Sequence, residues 1–148
     1  MIIEVTVELN EIFEKGCDYP WEKPEVCPRC DIPRIWGHGF VPAYFDPIKE
    51  CLYIRRYRCP ECGCIIRMKP IGFFKRFRAP IEFIRSSLFH RLTFRRWISN
   101  FSQSRQRHWM FNLKRQSLAH LGVEGLQKLL NSFELLIQRD LIPVSRGI

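Results

Sequence analysis

The stretch YRCPECGCI, residues 57–65, contains three cysteines within six positions, and a matching pair lies upstream in VCPRC, residues 26–30. Together they form the pattern Cys-x2-Cys, twenty-eight residues, Cys-x2-Cys. Two intervening residues let both sulfurs of a pair reach one ion from a tight turn, and two such turns complete a tetrahedral site of four thiolates. The pattern therefore predicts one structural Zn²⁺ bound by Cys27, Cys30, Cys59 and Cys62.

The segments around the cysteine pairs predict a zinc ribbon built on a β-hairpin. PRIWGHGFVPAYF (33–45) and ECLYIRRYRC (50–59) have the composition of strands, with a turn near residues 46–49. Gly63 follows the second pair, where the chain must adopt a conformation that other residues resist. Because four thiolates leave no coordination position for water, we expect the zinc to stabilise the ribbon and not to catalyse a reaction.

Three other cysteines and one histidine lie outside this set. Cys64 lies on the strand that leaves the second turn, so its side chain should point away from the metal. Cys51 lies across the hairpin, and in a reducing compartment we expect both as small buried apolar residues. A ligand exchange with Cys64 and a Cys51–Cys64 disulfide are the alternatives. Cys17 is expected to be a lone thiol, and His38 a strand or turn residue.

Charge is unevenly distributed along the 148 residues, whose formal net charge is +9. Residues 1–26 contain seven acids and two bases, whereas residues 55–115 contain sixteen bases and two acids. A basic block of this density is typical of a polyanion-binding surface, most often one for nucleic acid, although a solvated basic face is the alternative. The sequence contains neither a long apolar run nor a signal peptide. We therefore expect a cytoplasmic, nucleoid-associated protein that does not bind a membrane.

Residue patterns divide the chain into four regions. Residues 1–25 predict a half-buried edge strand followed by an acidic segment, and residues 26–68 predict the zinc ribbon. Residues 69–79 predict a basic linker, and residues 80–142 a helical, helix-turn-helix-like domain. The predicted fold class is α+β, with a small four-cysteine ribbon followed by this helical domain.

Three helical segments support the helix-turn-helix prediction. Pro80 starts the first, Thr93 caps a short second helix, and Ser102 or Ser104 caps the third. Helical spacing places several apolar side chains inward: Ile81, Ile84, Leu88, Leu92, Phe94, Trp97, Ile98, Phe101, Trp109, Met110 and Leu113. The first turns of the third helix carry arginine and glutamine, which read base edges when such a helix enters the major groove. A purely structural helical hairpin is the alternative.

Candidate nucleic-acid contacts come from the hairpin, the linker and the helices. They are Arg55, Arg56, Arg58, Lys75, Arg76, Arg78, Arg95, Arg96, Arg105, Gln106, Arg107, His108, Asn112, Lys114 and Arg115. A further apolar stripe within residues 126–137 is predicted to close the helical core; the alternative is a homodimer through this C-terminal helix.

The order of these motifs resembles a bacterial zinc-ribbon family similar to the N-terminal DNA-binding part of insertion-sequence transposases. The resemblance covers roughly residues 26–110 and is carried by CPRC, GHGF, YIRRYRCPECG and RQRHW. The matching positions are Cys27, Pro28, Cys30, Gly39, Arg56, Tyr57, Cys59 and Cys62. Such families usually place a basic residue and then Thr-Phe after the second pair, whereas this chain has Cys64, Ile65 and Ile66.

The resemblance implies an accessory or regulatory DNA-binding protein of a mobile element, acting on duplex DNA beside a separate transposase or recombinase subunit. Only four acids occur beyond residue 66, on helical patterns without the strands that usually hold a nuclease triad, so we expect no enzyme. Two alternatives remain. FFKRF and RRYR interleave aromatic and basic residues, as in RNA-binding or ribosome-associated ribbons, and a protein-interaction adaptor would use the ribbon and the tail for docking.

Overall fold

A computed structural model describes residues 1–99 and 101–147 and has the α+β composition that the sequence predicts. The chain divides into two compact units, Met1–Pro80 and a second unit that begins at Ile81. The first unit contains a sheet with one short helix, and the second is helical.

The first unit contains a four-stranded sheet with the order β1-β4-β3-β2. The strands are β1 (Ile2–Val5), β2 (Trp36–Phe45), β3 (Ile48–Arg58) and β4 (Ile65–Pro70). Strands β2 and β3 form the predicted antiparallel hairpin, and β4 pairs antiparallel with β3. Strand β1 lies at the edge of the sheet and pairs parallel with β4, as expected for the alternating N-terminal sequence.

The Gly-His-Gly segment of the hairpin forms an irregularity in the β2–β3 ladder. Regular pairing shifts between Gly37 and Phe40, and Gly39 has φ 73°. Glycine adopts this left-handed conformation at little cost, which is why a bulge can form here. His38 therefore lies at this bulge within β2, which agrees with its prediction as a strand or turn residue.

A short helix within the predicted acidic segment covers part of the sheet. Helix α1 (Leu9–Lys15) buries Ile12 completely in a core that includes Leu52, Ile54 and Ile66. Seven residues with one buried apolar side chain carry too little periodicity to predict a helix from sequence. The acidic segment is therefore part of the folded unit.

The prediction of a basic linker over residues 69–79 is wrong. Strand β4 extends to Pro70, and Phe73, Phe74 and Ala79 are buried in the first unit. The ring of Phe73 packs against that of Phe45, with 4.7 Å between ring centroids. Because burying a large aromatic side chain is strongly favourable, Phe73 holds the segment against the sheet, while the basic side chains of Lys75, Arg76 and Arg78 stay exposed.

The second unit contains three helices, α2 (Ile81–Phe94), α3 (Gln103–Gln127) and α4 (Leu129–Gln138). Gly122, with φ 71°, interrupts the helical geometry of α3. The core contains Ile84, Leu88, Trp109, Met110 and Leu113, all predicted to point inward. The apolar stripe of α4 is also buried, at Leu129, Phe133 and Leu136, so it packs within its own unit. Leu92 and Phe94, which were predicted to face the core, are exposed.

The short helix predicted to begin after Thr93 is absent from the described residues. Thr93 lies inside α2, and residues 95–99 are not helical. Arg95 has φ 57°, a left-handed conformation that ends a helix. Ser102 does cap α3, because its hydroxyl accepts a hydrogen bond from the Arg105 amide at 3.2 Å.

Gln106, on the first turns of α3, holds the connection between α2 and α3. Its side-chain oxygen accepts hydrogen bonds from the Ser87 hydroxyl at 2.7 Å and from the Ile98 amide at 3.1 Å. Its amide nitrogen donates to the carbonyls of Ile98 at 2.8 Å and Phe101 at 3.0 Å. The side chain is fully buried, so all four bonds stabilise the fold and Gln106 is not available to read a base.

We expect Gln106→Ala to lower the free energy of unfolding by about 2–4 kcal/mol, because it leaves the Ser87 hydroxyl and the Ile98 amide without their acceptor. Chemical denaturation followed by circular dichroism measures the change. Gln103→Ala, at an exposed position one turn earlier, is the matched control and should shift stability by less than about 0.5 kcal/mol. Equal effects of the two changes would contradict the role assigned to Gln106.

Candidate metal centre and basic surfaces

The two Cys-x2-Cys turns have the same backbone structure. In the first, the Asp31 amide donates to the Cys27 carbonyl at 2.9 Å, and the Cys27 amide donates to the Ile32 carbonyl at 3.0 Å. In the second, the amides of Gly63 and Cys59 make the corresponding bonds to the carbonyls of Cys59 and Cys64, both at 3.0 Å. Each turn therefore presents its two thiols in the same way.

The two turns bring the four predicted ligands together. The sulfur atoms of Cys27, Cys30, Cys59 and Cys62 all lie within 4.8 Å of one another. Across the turns, the Cys27 and Cys62 sulfurs are 3.6 Å apart and those of Cys30 and Cys59 are 3.5 Å apart. A tetrahedral ion with metal–sulfur bonds of about 2.3 Å requires sulfur separations of about 3.8 Å. The cluster can therefore hold one metal ion, and its set of four thiols is the one predicted from the sequence.

Electrostatics within the cluster favour a cation. Burial alone would raise the pKa of Cys27, but the amides of Arg29 and Cys30 and the neighbouring thiols lower it to about 6. The Ile32 amide lowers the pKa of Cys30, yet burial and the neighbouring thiols outweigh it and raise that pKa to about 12. Because one thiolate disfavours the next, four thiolates at this spacing require a positive ion between them.

The remaining cysteines lie outside the cluster. Cys64 is buried, and its sulfur lies 3.8 Å from the Ile65 carbonyl. Cys51 is half-buried, Cys17 is exposed, and all seven cysteines are free of disulfides. Among the described residues, neither Cys64 nor His38 belongs to a group that could hold a metal ion. Cys64 is buried and Cys17 is a lone thiol, as expected, whereas Cys51 is less buried than expected.

The basic residues predicted to contact nucleic acid differ in their exposure. Ten have exposed side chains: Arg58, Lys75, Arg76, Arg78, Arg95, Arg96, Arg107, His108, Lys114 and Arg115. Three others are half-buried. The Arg55 guanidinium lies 4.8 Å and 5.3 Å from the ring centroids of Phe40 and Tyr57. Arg56 lies in β3. In the second unit, the Arg105 guanidinium lies 5.4 Å from the ring centroids of both Phe101 and Trp109.

Two of the predicted contacts are wrong, because Gln106 and Asn112 are buried. The signal for this was in the sequence. Gln106 lies three positions before Trp109, and Asn112 lies three positions after it, which places both on the core face of α3. The polar side chain exposed in the first turn of α3 is Gln103, which had not been predicted as a contact.

Sequence reasoning also missed two cations on β4. Arg67 and Lys69 alternate with the buried residues Ile66 and Met68. Arg67 pairs with Arg56 across the sheet, so two cationic residues lie directly opposite each other. The alternation of apolar and basic residues over positions 66–69 could have revealed that the cations share the face opposite Ile66 and Met68.

We expect Cys59→Ser to abolish metal retention and unfold the first unit, because three thiolates no longer close the site. Cys64→Ser should retain the metal. Metal content per protein after gel filtration, measured by atomic emission, tests both variants. Equal metal loss in the two would overturn the ligand assignment.

The conformation of Asp31 gives a second prediction for the turns. Its φ of 60° corresponds to the φ of 73° at Gly63 in the other turn. We expect Asp31→Val to lower the free energy of unfolding of the metal-loaded protein by about 1–2 kcal/mol, because a β-branched residue resists this conformation. Asp31→Gly should not lower it. Thermal unfolding of the three proteins, each with bound metal, provides the comparison; a less stable glycine variant would contradict this explanation.

Two findings concern the chain as a whole. Within the described ranges, no helix is both long and apolar enough to cross a bilayer. Comparison of the chain with protein-family models, with curated proteins and with solved structures gives no match.

Proposed function

We propose that this chain is a DNA-binding protein whose first unit is stabilised by a structural Zn²⁺ ion and whose helical unit contacts duplex DNA. One observation carries the proposal. Between residues 83 and 123 the chain contains eight arginines and lysines and no acid, and five of these cations are exposed on α3 and on the connection before it. A surface of this kind attracts the phosphates of nucleic acid and releases their counterions on binding.

The chemistry of the cluster supports zinc as the metal. Four cysteine thiolates in a closed tetrahedral arrangement are typical of structural zinc sites, because Zn²⁺ accepts sulfur ligands and needs no further ligand. When bound, the ion supplies folding free energy, since it joins two turns thirty-two residues apart. We assign the ion no part in DNA chemistry.

Helix α3 of the helical unit is the proposed duplex-binding element. Helix α3 begins at a capped N-terminus, with Gln103, Ser104 and Arg107 exposed in its first turns. Seven positions after Arg107, Lys114 lies on the same helical face. A helix that enters the major groove with its N-terminus first would present Gln103 and Arg107 to base edges and Lys114 to phosphates.

The resemblance to transposase-type zinc ribbons extends this proposal to biological context. We propose an accessory or regulatory role in a mobile element, with a separate transposase or recombinase subunit as partner. Because the stripe of α4 is buried within its unit, a homodimer through that helix would have to use its more exposed residues, such as Leu130 and Ile137.

The proposal is tested by fluorescence anisotropy of zinc-loaded protein with duplex DNA, single-stranded DNA and RNA at 50 mM and 200 mM salt. We expect duplex binding that weakens steeply with salt, because each phosphate contact releases counterions. Absence of duplex binding at low salt would overturn the proposal, and preferential RNA binding would favour the RNA-binding alternative.

Variants on the exposed face of α3 sharpen this test. We expect Arg107→Ala and Lys114→Ala each to weaken duplex binding by about fivefold to tenfold, and Lys114→Ala to reduce the salt slope by about one. Lys128→Ala, an exposed cation after α3, is the control and should bind as the unaltered protein does. If all three variants bind alike, α3 is not the duplex-binding element.

A further inference from the structure

A cavity of ≈ 410 Å³ lies in the first unit, between strands β2 and β4 and the segment 75–78. Five cationic side chains contribute to its lining, together with aromatic and apolar residues. The cations are Arg67, Lys69, Lys75, Arg76 and Arg78. Two come from β4 and three from the segment that had been predicted as a free linker. Folding therefore gathers cations that are separated in sequence.

The balance of charge in this cavity favours an anion. Of the described residues that line it, none is acidic. The Lys69 ammonium lies 3.7 Å from a carboxylate oxygen of Glu4, which is exposed on β1. Burial lowers the pKa of Lys69, and the neighbouring Arg67 and Lys75 act in the same direction, against the opposing effect of Glu4. Cations placed this closely repel one another, and a bound anion would relieve that repulsion.

Two hydrogen bonds connect the chain around segment 75–78 to β4 and to the turn between β2 and β3. The Lys69 ammonium donates to the Phe73 carbonyl at 2.8 Å, and the Asp46 amide donates to the Arg78 carbonyl at 3.1 Å. Arg76 has φ 68°, a left-handed conformation that residues with a Cβ adopt at a cost. The backbone at this position therefore suits glycine, so the cationic side chain can be removed there without straining the chain.

An exposed aromatic ring lies beside these cations. Tyr44 is 50% exposed, and the Arg78 guanidinium lies 5.2 Å from the centroid of its ring. Exposed aromatic faces next to cations are the platforms on which unpaired bases stack in single-strand-binding proteins. A cavity of this volume has the size of a small-molecule site and admits one nucleotide, whereas a base-paired duplex is too wide to enter it.

We propose that this cavity binds one unpaired nucleotide of a DNA strand, with its phosphate among Lys75, Arg76 and Arg78 and its base against Tyr44. The inference rests on the proposed DNA-binding function and specifies a second kind of contact within it.

The test uses the full zinc-loaded chain and a labelled oligothymidine in fluorescence anisotropy. We expect Tyr44→Ala to weaken binding by about tenfold, because base stacking is lost, and Tyr44→Phe to retain binding. Arg76→Gly should weaken binding and reduce the salt slope by about one, while its thermal stability stays equal or rises, because glycine suits the backbone there. Weaker binding by Arg76→Gly at equal or higher thermal stability would show that a contact with the oligonucleotide, and not the fold, has been lost.

Lys23→Ala removes an exposed cation of the same unit that does not line the cavity and should leave oligothymidine binding unchanged. Binding by Tyr44→Ala and Arg76→Gly at the unaltered affinity would overturn the proposal, as would equal loss in Lys23→Ala. Tighter binding of oligouridine through the same residues would overturn the assignment to DNA.

Blunt-duplex binding by the same variants separates this proposal from the broader one. Because a duplex does not enter the cavity, Tyr44→Ala and Arg76→Gly should bind a blunt duplex much as the unaltered protein does, whereas Arg107→Ala should not. If neither the unaltered protein nor any variant binds a blunt duplex, the proposed duplex function is overturned. Oligothymidine binding that still depends on Tyr44 would then support nucleotide binding by the cavity.

Discussion

The close approach of four thiols is the constraint on which the first unit depends. Cys27 and Cys30 lie before the hairpin, and Cys59 and Cys62 lie after it, so the cluster holds the start of β2 close to the end of β3. Against the effect of burial, the amides of Arg29 and Cys30 and the neighbouring thiols lower the pKa of Cys27, whereas burial and the neighbouring thiols outweigh the Ile32 amide and raise the pKa of Cys30. Neighbouring thiolates repel one another and cannot all ionise without a cation. A bound metal ion would compensate this repulsion, and its bonds to the four sulfurs would stabilise the folded first unit.

The helical unit depends on a different kind of interaction. Its connection between α2 and α3 is irregular, and the buried amide of Gln106 satisfies backbone groups that have no helical partner there. Buried polar groups stabilise a fold when every hydrogen bond is made, and they specify one geometry because alternatives leave some unmade. The exposed start of α3 is thereby held in a defined conformation relative to α2.

Cationic residues in the two units lie on surfaces of different shape. On α3, Arg107 and Lys114 lie on a convex helical face, which suits the backbone of a duplex. In the first unit, Arg76 and Arg78 line a concave site beside Tyr44, which suits a single nucleotide. Under the two proposals made above, the cations of the two units would serve two modes of nucleic-acid binding, because the shape of each surface would select the form of the ligand.

Spacing and periodicity are local properties, so the amino-acid sequence alone predicted the four clustered cysteines, the hairpin, the edge strand and the main core positions of α2 and α3. The burial of Gln106 and Asn112 could also have been predicted from the sequence, because both lie on the same helical face as Trp109. The burial of Ile12 and Phe73 is evident only in the folded chain, where packing against the sheet outweighs a local pattern typical of a loop or a linker. The cavity at Tyr44 likewise depends on segments more than thirty residues apart, whose approach no local pattern encodes.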